Sequence, residues 1–144
     1  WKIATKGSEM SDANDNPSYW FVPCNVKLFD VVEHLKESDE LTVKQGRKVA
    51  TGDYVYLYVG KPYSRILYRC VVDKAGIRAG DLADSEKYAI TKGTRPTPYM
   101  RLRVDIRFDE LKLSYSDLIE NGLGTVQAQQ SMPRKTVAYI SKFE

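Results

Sequence analysis

The chain has 144 residues, 42% hydrophobic and 28% charged, which suits one globular domain and excludes a disordered polyelectrolyte. A net charge of +3 and a pI of about 8.8 are too mild to define a nucleic-acid partner by themselves. Two cysteines and one histidine exclude a disulfide scaffold and a Cys/His zinc set, no apolar run approaches the roughly 20 residues of a membrane span, and no basic-then-apolar leader opens the chain, so an intracellular place is the expectation.

Residues 1–17 are polar and aperiodic and read as a flexible tail; Met10 reads as a native start, with residues 1–9 an addition to it. The folded domain is expected over 18–144. Ser18 to Cys24 is aromatic and β-branched, and predicts a buried strand with Pro23 near its end. Asn25 is a good helix N-cap, and Leu28, Phe29, Val31, Val32 and Leu35 follow at helical spacing. Residues 37–49 are polar, with a basic cluster of Lys44, Arg47 and Lys48. The turn Thr51-Gly52-Asp53 leads into a strand from Tyr54 to Val59, with Tyr54, Tyr56 and Tyr58 on one face. Gly60-Lys61-Pro62 breaks it, and Arg65 to Val72 is expected to return antiparallel.

Residues 73–98 show no period, as in a long functional or mobile connection. From Tyr99 to Phe108 the alternation is strict: Met100, Leu102, Val104, Ile106 and Phe108 form a core face, and Arg101, Arg103 and Arg107 a wet one. Such arginines either contact phosphates or form an ordinary solvated face. Ser114 with Asp117 marks a capped helix that Asn121-Gly122 ends, and a last helix is expected from about Pro133 to Phe143. The sum is an α+β domain: a small, curved, mostly antiparallel β-barrel with about three flanking helices.

Catalytic signals are weak. The chain has no Walker loop, no G-x-S-x-G and no H-E-x-x-H. Cys24 and His34 have no spacing that supports a nucleophile pair, and Asp30, Glu33 and Glu37 read as a solvated helix face. No cofactor or metal is implied, and a non-catalytic binding domain is the expectation. Ten tyrosines beside four phenylalanines and two tryptophans suit a surface that stacks on flat rings. If the strand ends converge, Trp20, Cys24, Asn25, Tyr56, Tyr58, Gly60 and Tyr99 surround one pocket for an unstacked base. Packing in an ordinary sheet core is the competing explanation for each aromatic taken singly.

The stretches Tyr19-Trp20-Phe21-Val22-Pro23-Cys24-Asn25 and Thr51-Gly52-Asp53-Tyr54-Val55-Tyr56-Leu57-Tyr58-Val59, then Ile66 to Val72, Arg101 to Phe108, Leu113-Ser114 and Asp117-Leu118, resemble in order the motifs of EVE domains. EVE domains are PUA-like modules related to YTH and SRA domains. The resemblance implies a curved barrel that reads a modified base: 5-methylcytosine, 5-hydroxymethylcytosine or N6-methyladenine. It implies double-stranded DNA as partner, a prokaryotic cytoplasmic setting, and a specificity role in modification-dependent restriction, with a nuclease or GTPase effector fused or associated. No tryptophan follows Trp20, so Tyr99 or a tyrosine between 54 and 63 would form the second wall.

In the mechanism expected, Lys27, Arg47, Lys48, Lys61 and Arg65 hold phosphates. The target base rotates out of its stack and enters the pocket. A PUA-like RNA-binding module and a protein-interaction domain are the alternatives.

Overall fold

The computed structural model describes residues 16–90 and 97–144. Residues 1–15 of the expected tail, and 91–96 of the long connection, lie outside the described residues. The elements in chain order are β1 (Tyr19–Cys24), α1 (Val31–Lys36), β2 (Glu40–Lys44), β3 (Tyr54–Val59), β4 (Arg65–Ile77), β5 (Tyr99–Arg107), α2 (Tyr115–Glu120), β6 (Gln130–Ser131) and α3 (Arg134–Ile140). Short 3-10 helices at Ala79–Asp81 and Asp84–Ala89 lie between β4 and β5, and Ser141–Phe143 ends the chain.

The strands form one curved, mixed sheet in the order β2-β5-β4-β3-β1-β6. β1 and β3 are parallel, in register from Tyr19 with Tyr54 to Cys24 with Val59; the other pairs are antiparallel. The sheet stays open, because β1 and β2 do not pair.

The Gly52-Asp53 turn explains how the parallel pair is held. Gly52 has φ +92°, a conformation open to glycine. The buried Asp53 carboxylate accepts from the Ser18 amide (3.0 Å), the Trp20 indole N–H (2.9 Å) and the Ala50 amide (2.9 Å). It therefore ties the start of β1 to the start of β3 without a hairpin.

Each face of the sheet carries its own core. On the concave face Val22, Val55, Leu57, Cys70, Met100 and Leu102 meet Val31 and Leu35 of α1. On the convex face Phe21, Tyr56, Tyr58 and Ile66 are covered by Leu113, Leu118, Leu123 and Ile140 from the C-terminal segments. Tyr54, Tyr56 and Tyr58 share a face, as their alternation predicts, and that face is packed. Tyr19 stacks on Tyr54 at 5.3 Å, and the Tyr56 hydroxyl donates to Glu144 at 3.2 Å.

Four local expectations need correction. α1 begins at Val31, where the Asp30 side chain caps the Glu33 amide at 3.1 Å, so Asn25 closes the preceding turn instead of the helix. β2 lies in a segment that reads as merely polar. β4 runs on to Ile77 with register shifts, as a strand must when it bends round a curved sheet. β5 does not keep one core face: Cys70 pairs with Val104 but Arg69 with Ile106, so Asp105 is an inserted residue. Ile106 and Phe108 consequently pack in the convex core. The expected strands at Tyr54–Val59 and Arg65 onward, and the Ser114-capped helix ending at Asn121-Gly122, are present.

Candidate functional site

Among the described residues, the curved sheet fails to close on itself between β2 and the part of β1 that lies beyond β6. Unpaired strand edges are costly if buried dry and hazardous if left bare. On β2 the outward groups of alternate residues are met by side chains. His34 Nε2 donates to the Glu40 carbonyl (2.8 Å), the Thr42 amide donates to the Tyr88 hydroxyl (2.8 Å), and Gln129 Nε2 donates to the Lys44 carbonyl (2.8 Å). On β1, β6 pairs only with Trp20 and Phe21. Pro23 follows, and it has no N–H to leave unpaired.

Between these edges lies a cleft of about 270 Å³. One wall is aliphatic, formed by Val22, Cys24, Val31 and Leu41; the other is Phe29 and Tyr88. Their rings stack on each other at 4.5 Å and 13°, with His34 packed at 5.3 and 5.0 Å. They therefore make one aromatic wall and leave no slot between them. Asn25, Thr42, Lys44 and Gln129 supply polar groups, and Leu28, 73% exposed, stands at the mouth. The Asn25 carbonyl accepts from the amides of Leu28 (3.0 Å) and Phe29 (3.1 Å), and its side chain from Lys27 N (2.9 Å). This turn carries Phe29 into the wall.

Glu86 anchors the segment that carries Tyr88. The Glu86 carboxylate accepts from Arg101 Nε and a terminal guanidinium nitrogen at 2.8 Å each, from the Ala83 amide at 3.1 Å, and from the Thr42 hydroxyl. The Arg101 guanidinium holds this carboxyl at about 2, well below its usual range. Burial pushes the Cys24 thiol up to about 12, which keeps it in the unreactive protonated form.

Beyond the Gln129 bridge the gap widens into a shallower hollow of about 720 Å³, lined by Trp20, Gln45, Gly46, Arg47, Lys48 and Gln130. Arg47 Nε donates to the Gln129 carbonyl (2.9 Å), but Arg47, Lys48 and Lys44 have no carboxylate partner among the described residues. The β5 arginines differ. Arg101 pairs with Glu86, Arg103 with Asp73 at 3.3 Å and Arg107 with Asp39 at 2.9 Å.

The residues expected to form one base pocket are thus divided. Cys24 and Asn25 line the cleft, and Trp20 lines the neighbouring hollow. Tyr56 (0% exposed) and Tyr58 (6%) lie on the opposite face of the sheet, where the C-terminal helices cover them. Tyr99 (2% exposed) is buried against Ile77 and Leu82. None of the three tyrosines can wall this cleft. Gly60 donates its amide to the Cys24 carbonyl (3.0 Å) and accepts from the Tyr63 and Ser64 amides, and it does not line the cleft.

Of the expected phosphate contacts, Arg47 and Lys48 rim the hollow, and Lys27 is exposed in the turn that holds Phe29. Lys61 is exposed on the β3–β4 turn, and Arg65 is bound to the carbonyls of Tyr63 and Lys112, so neither lines the gap. Sequence reasoning missed Tyr88 because its segment has no period. It read Phe29 as helix core because Phe29 fits the helical spacing of its neighbours. The signal available was the Pro23-Cys24-Asn25 end of β1, which does place the cleft.

Among the described residues no group of three His, Cys, Asp or Glu could hold a metal ion, and no helix is long and apolar enough to cross a membrane. The open, curved, mixed sheet with short flanking helices is similar in fold to solved ASCH proteins. The ASCH protein of Zymomonas mobilis matches with a TM-score of 0.59 at 8% identity, over 88% of this chain and 96% of that one. A Pseudomonas syringae protein matches at 0.61 and 15% identity, over 87% and 98%. A hypothetical protein from Leishmania major matches at 0.57 and 15%, over 88% and 94%. No protein-family model and no curated protein sequence matches the chain.

Proposed function

We propose that this chain is a nucleic-acid-binding module that takes one unstacked base into the cleft between β1 and β2. The carrying observation is the conjunction at one gap of an aromatic wall (Phe29, Tyr88), amide groups (Asn25, Gln129) and unpaired cations (Lys44, Arg47, Lys48). A ring stacks on such a wall for about 1–3 kcal/mol, amides read its edge, and cations hold its phosphate. The EVE-like order of motifs adds the finer reading, that the base is 5-methylcytosine, 5-hydroxymethylcytosine or N6-methyladenine in DNA. The aliphatic wall of Val22, Cys24 and Leu41 suits a methyl group, although one methyl contributes only about 0.8 kcal/mol by burial.

The module binds and does not catalyse. The Cys24 thiol is protonated at neutral pH, and Glu86 is committed to Arg101 and Thr42. In a restriction protein it would supply specificity to a nuclease or GTPase effector located outside these residues. The test is a panel of single- and double-stranded DNAs and RNAs differing in one base modification, at fixed salt. A preference for one modified probe that Tyr88→Ala abolishes supports the reading. Equal binding to all probes removes base reading, and no salt-dependent binding removes nucleic acid altogether.

A further inference from the structure

The hollow beside Trp20 is left over by a one-base mechanism. It opens from the same gap as the cleft, and a single bridge separates them. Gln129 donates to the Lys44 carbonyl (2.8 Å) and accepts the Gly46 amide (2.7 Å), standing in for the missing strand pairing. Gly46 permits this contact, since a Cβ there would meet Gln129 Oε1 at 2.9 Å. Trp20 and Val22 lie two residues apart on one face of β1, Trp20 in the hollow and Val22 in the cleft. That separation is about 6.6 Å along a strand.

The Trp20 indole N–H is held by Asp53 at 2.9 Å, so the ring is fixed while its half-buried face borders the hollow. Arg47 and Lys48 stand at the same hollow, and Lys44 lines the cleft.

From this arrangement we infer that the hollow is a second nucleotide subsite. The ligand is then a stretch of single-stranded nucleic acid at least two nucleotides long. One base lies on the Phe29–Tyr88 wall and its neighbour on Trp20, with the linking phosphate crossing the Gln129 bridge toward Lys44, Arg47 and Lys48. The Gln129 bridge stands between the two hollows, so bases seated in them cannot stack on each other and must be splayed apart. A paired duplex resists this and a single strand does not. The inference rests on the base-binding reading and adds strand state, length and the role of Trp20.

The experiment uses the whole chain carrying Trp1→Phe, so that Trp20 is the sole tryptophan. Probes are 5-methylcytidine and N6-methyladenosine monophosphates, their dinucleotides with thymidine or uridine on either side, and mixed-sequence 12-nucleotide single strands and duplexes of DNA and RNA. Affinity and Trp20 fluorescence are read at fixed salt.

A dinucleotide is expected to bind about tenfold tighter than its monophosphate and to quench Trp20, which the monophosphate leaves bright. Single strands should bind more tightly than duplexes of the same sequence. Trp20→Leu, read by affinity in the folded variant, should remove the dinucleotide gain and spare the monophosphate. Equal binding of mono- and dinucleotide with Trp20 unquenched overturns the second subsite and leaves the base-binding reading standing. Preference for duplex over single strand overturns the strand assignment. No binding to any probe overturns both.

Discussion

Two groups of aromatic rings in this chain look alike in sequence and behave oppositely in the fold. Tyr19 stacks on Tyr54 and Tyr56 on the convex face, where Tyr56 and Tyr58 are buried under the C-terminal segments. Phe29 and Tyr88 stack at the unclosed gap, with His34 tilted against both, and they line an open cleft beside β2. The difference lies in what covers each group. Aromatic rings stabilise by burial wherever a helix is available to cover them. Where the sheet leaves two edges apart, Phe29 and Tyr88 line an open cleft instead.

The charges repeat the contrast. The β5 arginines are neutralised by Glu86, Asp73 and Asp39, while the cations of the gap are not. A mild net charge of +3 can therefore conceal a local cationic edge.

The comparison breaks if the two groups respond alike to substitution. The largest effect is expected for Tyr56→Ala, which empties a fully buried site and should cost about 3–5 kcal/mol in urea unfolding. A loss below about 1 kcal/mol would mean that the convex row is not core.

Next comes Glu86→Gln, expected to cost about 2–4 kcal/mol at pH 7 by leaving Arg101 without its anion. Its pH dependence has a definite sign. The Glu86 carboxyl is held at about 2 against an ordinary 4.5, so its contribution is complete above about 4.5 and fades as pH falls toward about 2. The stability difference between parent and variant should close over that window; a constant difference would rule out the ion pair as its source.

Phe29→Leu keeps most of the packing but removes the flat ring. Affinity for the preferred probe should fall about 5- to 50-fold, within the range of one stacked base, while stability changes by less than ~1.5 kcal/mol. Unchanged affinity would put the base elsewhere. The smallest effects belong to single charges. Arg47→Gln or Lys48→Gln should each lower the slope of log K against log salt by about 1, with stability within ~0.5 kcal/mol of the parent. Arg103→Gln is the control and should leave the slope alone; a drop there equal to that for Arg47 would erase the contrast between paired and unpaired cations.

Much of the fold was legible because its signals are local. Period-two alternation marks Tyr54–Val59 and most of β5, Ser114 with Asp117 marks α2, and Gly52-Asp53 marks the turn that locks the parallel pair. The end of β1 at Pro23-Cys24-Asn25 was legible too, and it borders the cleft.

The rest depends on curvature and covering, which no local window contains. Only the tertiary structure decided that the sheet remains unclosed between β1 and β2. It also decided that one inserted residue at Asp105 turns Ile106 and Phe108 to the other core, and that an aperiodic segment lays Tyr88 along the edge of β2. Composition by itself established that this chain holds many rings able to stack. Which of them are sealed and which stay beside an open cleft was set by where the helices dock, because a ring buried on both sides has no face left to offer.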